Sequence, residues 1–286
     1  MEVFLSGTLP RGRGSKSNLR LSPAAIKLVA GKLDGMMRRT YLEEGFVESK
    51  VHFFGVPKGE DDICVVFDGT SSGLNEALWA PNFYLPTSQA ASTLLTFSTW
   101  MADVNLGEMF HNFPMSDRIR KVSGVDVGPV AAAMLTLLRM SRNGQCFLRW
   151  SRLFMGMRPS PYNAVRYFYW GDEFIRGNPN RSDNAMRYNR VILNLPCMEN
   201  YDPRQPKVMK WINQARNNVG AVAGDLITFV DDCRITGFLK EHCHEVHRQV
   251  ASRIQFLGMQ DAPRKFRPPT HIRRCVIVRS PLQGEF

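Results

Sequence analysis

The sequence lacks the features that mark a secreted or membrane protein. Its six cysteines, Cys64, Cys146, Cys197, Cys233, Cys243 and Cys275, are scattered and contain no CxxC pair, a usage that fits a reducing compartment rather than a disulfide framework. Long hydrophobic runs are also missing. The longest, Val127–Leu138, is too short to span a bilayer and is broken by Gly128 and Pro129. The opening MEVFLSGTLPRGRG has no apolar leader core, so an intracellular location, cytoplasmic or nuclear, and no membrane partner are expected. Acidic residues are in deficit: 26 against 37 basic ones leave a net charge of +11. That surplus suits a phosphate-rich partner, and nucleic acid before an acidic small molecule. With 44% hydrophobic and 22% charged residues in 286, the composition excludes wholesale disorder and supports one large domain or two intimate subdomains.

One stretch concentrates the candidate chemistry. In Asp225–Gly237 (DLITFVDDCRITG) the apolar run Leu226–Val230, bounded by Gly224 and Gly237, reads as a buried strand ending in the adjacent Asp231 and Asp232. Two carboxylates at one tip repel each other and lose hydration in a bare core. A tight hairpin turn makes them tolerable, the more so with a divalent cation, and magnesium is bound by one or two carboxylates plus phosphate oxygens. The plain alternative is a polar hairpin tip that binds nothing. A second cluster, His242, Cys243, His244 and His247, is set aside as a zinc site. Leu239, Cys243, Val246, Val250, Ile254 and Leu257 recur at helical spacing, which turns Cys243 to the core and spreads the histidines around the helix.

Along the chain, residues 1–21 read as a basic flexible arm, and Ser22-Pro23 is expected to open a helix that runs past Tyr41 to end near Gly45. Val51–Pro57 and Ile63–Phe67 make a β-hairpin with Lys58 in its turn. A helix over Ser88–Trp100 precedes a strand at Met101–Asn105, and an apolar helix is expected over Val130–Met140. Cys146–Leu153 alternates as a strand and leads into FMGMRPSPYNAV, where Ser160-Pro161 starts another helix. Residues 177–220, rich in Asn, Pro and Arg, read as a basic surface insertion with one short strand, Val191–Leu195. A final strand is expected at Cys275–Val278.

Apolar-Val-Asp-Asp at a hairpin, a VPK hairpin followed by Gly73-Leu74-Asn75, and the run Gly156, Ser160, Pro161 resemble, in order, motifs of reverse transcriptases, and of retroelement ones in particular. The resemblance implies an α+β fold: a right-hand polymerase palm, a small antiparallel sheet backed by helices. Fingers would occupy residues 22–100 and the palm 101–286, with no thumb. It implies RNA-templated DNA synthesis on an RNA template and DNA primer from deoxynucleotide triphosphates, with two magnesium ions. Asp231 and Asp232 would be metal ligands. Counted back from Phe110 and Pro114, the third ligand position falls on Asn105, an amide. Asp103, on the same strand face about 7 Å away, would serve only if a bulge shifts the register.

Further roles follow from the same resemblance. Lys58 would meet the triphosphate, but its arginine partner position holds Cys64, and a thiol cannot replace a bidentate, permanently charged fork. Phe110 would lie under the sugar and exclude a 2′-hydroxyl. Gly156, Ser160 and Pro161 would approach the template–primer, and Lys265 would protonate the leaving pyrophosphate. Arg118, Arg120 and Lys121 are template contacts or a solvated basic loop. Losing one metal carboxylate costs several kcal/mol, hence on the order of hundreds-fold in rate. The departures imply a degenerate copy with impaired polymerisation; the alternatives are a non-catalytic nucleic-acid-binding palm module, or an active polymerase using Asp103. Asp231, the strand end near residue 105 and the Gly156 turn would wall one cleft.

Overall fold

The structure is a computed structural model that describes residues 22–59, 61–87, 99–135, 141–142, 145–204, 207–213, 221–260 and 267–271. The chain divides into two units, Met1–Phe83 with Glu108–Tyr167, and Tyr84–Gly107 with Phe168–Phe286.

In the first unit, Ser22 caps the helix Pro23–Arg38 by accepting from the Ala25 amide at 3.2 Å, and the helix buries Val29, Ala30 and Leu33 on one face. It stops at Arg38, short of the expected Gly45. Thr40 takes a left-handed φ of 59°, and the Tyr41 amide returns to the Met36 carbonyl. The chain then enters the strand Leu42–Glu44 with Tyr41 and Leu42 in the core. The sheet runs in the order Leu42–Glu44, Gln145–Trp150, Gly124–Asp126, Lys50–Pro57, Ile63–Asp68. Lys50–Pro57 lies parallel to Gly124–Asp126 and antiparallel to Ile63–Asp68, which gives the expected hairpin with Phe53 opposite Phe67 and Val56 opposite Cys64. Large aromatics fill the centre: Trp150 stacks on Phe154 at 5.0 Å and takes Phe67 edge-on at 4.7 Å.

One further expectation fails in this unit. Instead of a helix over Val130–Met140 there is a 3₁₀ turn, Gly128–Ala133; the Leu135 amide is captured by Asp34 Oδ2 at 2.6 Å rather than by a helical carbonyl, and residues 136–140 lie outside the described residues. Arg120, a candidate template contact, pairs with Glu43 at 3.2 Å.

The second unit is built on a four-stranded antiparallel sheet, ordered Asp225–Phe229, Asp232–Gly237, Trp100–Asn105, Arg267–His271. Strand alternation buries Ala102, Val104, Cys233 and Ile235. The helix Lys240–Phe256 lies against the two middle strands and buries Cys243, Val246, Val250 and Ile254, as its sequence period predicts. The helix Ser160–Arg176 contributes its second half here; Arg176 bonds Asp172 at 2.7 Å, and also Asp225 and the Leu226 carbonyl, which ties the helix end to the start of the hairpin. Arg267–His271 carries two prolines and shifts register between Arg267 and Thr270, which an edge position tolerates. The strand expected at Cys275–Val278 and the arm expected over residues 1–21 lie outside the described residues, as does the helix expected over Ser88–Trp100 up to residue 98, while Trp100, its expected last residue, opens the strand Trp100–Asn105 instead.

The insertion differs from its expectation. It holds two strands rather than one, Arg190–Leu193 and Val208–Asn213, which form a three-stranded antiparallel sheet with Ala221–Val222 just after it. Part of its basic charge is neutralised locally, Arg181 by Asp183 at 2.7 Å and Arg204 by Asp202 at 3.1 Å. Among the described residues, no helix is long and apolar enough to cross a membrane.

Candidate functional site

The hairpin pairs Phe229 with Asp232, which leaves Val230 and Asp231 as a two-residue turn. Val230 has a φ of 56°. A positive φ at the first turn position is what a hairpin of the II′ kind requires, but a β-branched residue fits that region poorly, so strain is concentrated beside the acidic pair. The turn is anchored from the neighbouring strand, where the Leu106 amide donates to the Asp231 carbonyl at 2.8 Å.

Register decides which side chains meet. Asp232 lies opposite Asn105 and Arg234 opposite Asp103, with no bulge between them. Since side chains alternate with period two, all four project from one face of the sheet. Asn105, only 3% exposed, donates from Nδ2 to Asp232 Oδ1, and the same nitrogen lies 3.5 Å from Asp231 Oδ2. Its Oδ1 is buried and has no partner among the described residues. Asp103 is held elsewhere on that face: Arg234 donates from Nε at 2.9 Å and Nη2 at 3.4 Å, and this bond raises the arginine's pKa. The structure thus brings Asp231, Asp232 and Asn105 together and keeps Asp103 with Arg234. Lys265 lies outside the described residues.

The donor set at the hairpin tip is one carboxylate short of the three that the resemblance implies. Two carboxylates converge, the third position presents N–H groups rather than an oxygen, and among the described residues no group of three His, Cys, Asp or Glu could hold a metal ion.

The other named residues belong to the first unit. Lys58 is exposed in the hairpin turn, which closes through its amide to the Asp62 carbonyl at 2.8 Å, and Cys64 is exposed on the adjacent strand. Phe110 is half-buried in a 3₁₀ turn, Met109–Asn112. Two contacts fix that turn. Glu108, at a φ of 48°, accepts from Arg39 at 2.8 and 3.0 Å, and His111 stacks on Trp150 at 5.2 Å and tilts against Tyr41 at 4.6 Å. Burial pulls the His111 pKa down to about 4.

Gly156 has a φ of 103°, and a Cβ there would lie 1.9 Å from the Phe67 carbonyl oxygen. Its own carbonyl accepts from the Gly69 amide at 3.3 Å and from Asn75 Nδ2 at 2.9 Å, while Asn75 Oδ1 accepts from the Arg158 amide at 2.8 Å. Asn75 therefore staples the turn to the segment after the hairpin. Ser160 is fully buried, with no partner for its hydroxyl among the described residues. Pro161, Gly156, Arg158, Asn75, Thr70 and Glu76 line an open cavity of about 500 Å³.

Sequence reasoning missed three contacts: Asn75 with Gly156, Arg234 with Asp103, and Arg39 with Glu108. Each joins residues remote in sequence, and only the charges of the last two hint at pairing.

No protein-family model and no curated protein matches the sequence. Solved structures do. The foamy viral protease–reverse transcriptase in complex with double-stranded DNA superposes with a TM-score of 0.58 at 12% identity, over 92% of this chain and 34% of that one. The prototype foamy virus protease–reverse transcriptase in its native form gives 0.57 at 13% identity, over 92% of this chain and 26% of that one. The chain thus spans between a quarter and a third of those proteins' length, and at such identity the likeness is one of fold: a distant reverse-transcriptase-like fold of mixed α+β class.

Proposed function

We propose that this chain is a reverse-transcriptase-like protein of retroelement type that binds an RNA template with a DNA primer, and in which nucleotidyl transfer is impaired. The observation that carries the proposal is the Asn105 amide lying against Asp231 and Asp232 where the resemblance calls for a third carboxylate. In such a palm, magnesium would stabilise the attacking and leaving oxygens, and an amide at the third position leaves it one carboxylate ligand fewer.

The chain's own residues retain features suited to binding. The net charge of +11 favours a phosphate backbone, and a structural neighbour was solved with double-stranded DNA. Gly156 lets backbone approach closely, and the cavity beside it has Arg158 and Asn75 in its lining, one a charge for phosphate and the other an amide able to meet sugar or base. Lys58 offers a point charge to a triphosphate without the arginine fork, and Phe110 would favour a deoxy sugar. The active reading through Asp103 would require that carboxylate to leave its two-bonded pairing with Arg234 and the strand to change register, which moves every side chain on it.

Primer extension with magnesium beside an Asp231→Ala control, together with binding of an RNA–DNA hybrid at several salt concentrations, tests the proposal. The expected result is salt-dependent hybrid binding with extension no greater than in the control. Extension well above the control overturns the impairment, and absence of hybrid binding at low salt overturns the nucleic-acid reading.

A further inference from the structure

We propose that the Asn105 amide does at this hairpin what a divalent cation does between convergent carboxylates, so that the acidic tip is held without metal, and that Asn105→Asp alone makes it cation-dependent. The inference deepens the reading above and rests on it only for the choice of cation.

The amide's orientation is decided by its neighbours. Ionised carboxylates only accept, so the side of Asn105 facing Asp231 and Asp232 must be its NH₂ group, and the oxygen is turned into the protein. That oxygen is buried and unpartnered among the described residues. Leaving an acceptor unsatisfied is unfavourable, whereas N–H bonds to charged oxygens are stronger than neutral ones. The carboxylates therefore win the contest for the amide. An amide with two N–H groups can bridge two acids, as a cation would, yet it carries no net charge and needs no further ligands. The remaining carboxylate on the same strand face, Asp103, is spoken for by Arg234 across the ladder.

The bridge also has mechanical work to do. Val230 is held at a left-handed φ between Phe229 and Asp231, and such strain persists only where the surroundings over-determine it. Asn105 and the next residue, Leu106, supply that restraint from one strand end, the former through its side chain to Asp232 and the latter through its amide to the Asp231 carbonyl. Replacing the amide by a carboxylate keeps the shape and removes both donors. Three carboxyls then meet, that of residue 105 at a position only 3% exposed beside a half-buried Asp231 and an exposed Asp232, and their repulsion is relieved by a bound cation or by a proton on one of them.

The experiment is thermal unfolding of the full chain and of its Asn105→Asp and Asn105→Ala variants, in chelator and in millimolar magnesium or manganese, with no nucleic acid present. The native chain should melt at the same temperature in chelator and in metal. Asn105→Asp should fall by about 5–10 °C in chelator and recover most of the loss with either ion. Asn105→Ala should fall without recovery. The proposal is overturned if the native chain is stabilised saturably by magnesium in a way that Asp231→Ala abolishes, or if Asn105→Asp melts alike with and without metal. Should Asn105→Asp not fold in chelator, manganese titration of the native chain decides: saturable binding lost in Asp231→Ala refutes the idea, and its absence supports it. Because no template or primer is used, failure here leaves the nucleic-acid reading standing, and the reverse holds for the hybrid-binding assay.

Discussion

Replacing Gly156 by alanine tests whether the turn is built around a missing side chain. The new Cβ would sit 1.9 Å from the Phe67 carbonyl oxygen, while a close carbon–oxygen contact is about 3.3 Å, so backbone must part by about 1.4 Å. Three losses follow. Holding alanine at a φ of 103° costs about 1 kcal/mol or more. Overpacking against backbone, which cannot rotate away, costs about 1–3 kcal/mol. Parting the segments breaks the bonds that the Gly156 carbonyl accepts from Gly69 and Asn75, together about 1–2 kcal/mol. The sum is about 3–6 kcal/mol. Gly59→Ala is the control, since its φ is 74° but nothing lies within 4 Å of the added carbon, and about 1–2 kcal/mol is expected. Urea unfolding of both variants and of Asn75→Ala, with the slope unchanged, measures the differences. Asn75→Ala should cost about 2–3 kcal/mol and combine with Gly156→Ala less than additively, because both remove the same staple. If Gly156→Ala costs no more than Gly59→Ala, the close approach is not a structural requirement and the turn's place in the candidate site loses its physical basis.

Three other outcomes are expected. Asn105→Asp combined with Cys64→Arg should raise magnesium-dependent primer extension above that of the native chain by tenfold or more, roughly the return of one or two charged contacts at about 1.4 kcal/mol per decade; no gain from the pair would count against the strand register. His111, buried to a pKa of about 4 against 6.5 in the unfolded chain, contributes stability that is complete above pH 6.5 and is lost as pH falls toward 4, about 3 kcal/mol in all. His111→Phe should flatten that part of the pH–stability curve, read as the difference between the two proteins' unfolding midpoints. Arg234→Ala, which breaks a half-exposed ion pair, should cost less than about 1 kcal/mol, whereas Asp225→Ala, which leaves Arg176 short of its buried partner, should cost about 3 kcal/mol by denaturant melts.

Elements with a strong local period could be read from the sequence. The hairpin Lys50–Pro57 with Ile63–Asp68, the helix Lys240–Phe256 and the start of Ser160–Arg176 emerge near their expected bounds because apolar spacing, a cap or Ser-Pro marks each one. The insertion's sheet was hidden because its strands are short and separated by Asn-, Pro- and Arg-rich segments that also read as loop. The helix expected to reach Gly45 was misjudged for a different reason: Tyr41 and Leu42 continue the apolar period, but the core they fill is reached by a strand, after Thr40 breaks the helical path. At the candidate site, sequence placed the two aspartates on a hairpin and offered Asn105 or Asp103 as the third residue. Spacing from Phe110 and Pro114 selects Asn105 and leaves Asp103 only through a bulge, which no local signal in the sequence can exclude. The choice is made by pairing Asp232 with Asn105, a fact of register set by the whole ladder from Trp100 to Gly237.

That register also shows how the demands of the fold differ from those of the proposed chemistry. The buried face of the four-stranded sheet asks only for apolar volume, which Ala102, Val104, Cys233 and Ile235 supply, so it tolerates other apolar residues of similar size, and the likeness in fold to a foamy viral protease–reverse transcriptase holds at 12% identity. The polar face asks for particular groups at particular rungs. Exchanging a carboxylate for an isosteric amide at the rung of Asn105 changes no volume, leaves the ladder intact and replaces mutual repulsion with hydrogen bonds. Such an exchange would favour folding while removing an oxygen ligand from the chemistry. A chain freed from the demand to polymerise would accept it readily, whereas one under that demand would not. The discriminating measurement is the stability of Asn105→Asp in chelator: a loss there, with extension gained in magnesium, would show stability and catalysis trading at one rung, and a variant as stable as the native chain would show that the amide offers the fold nothing.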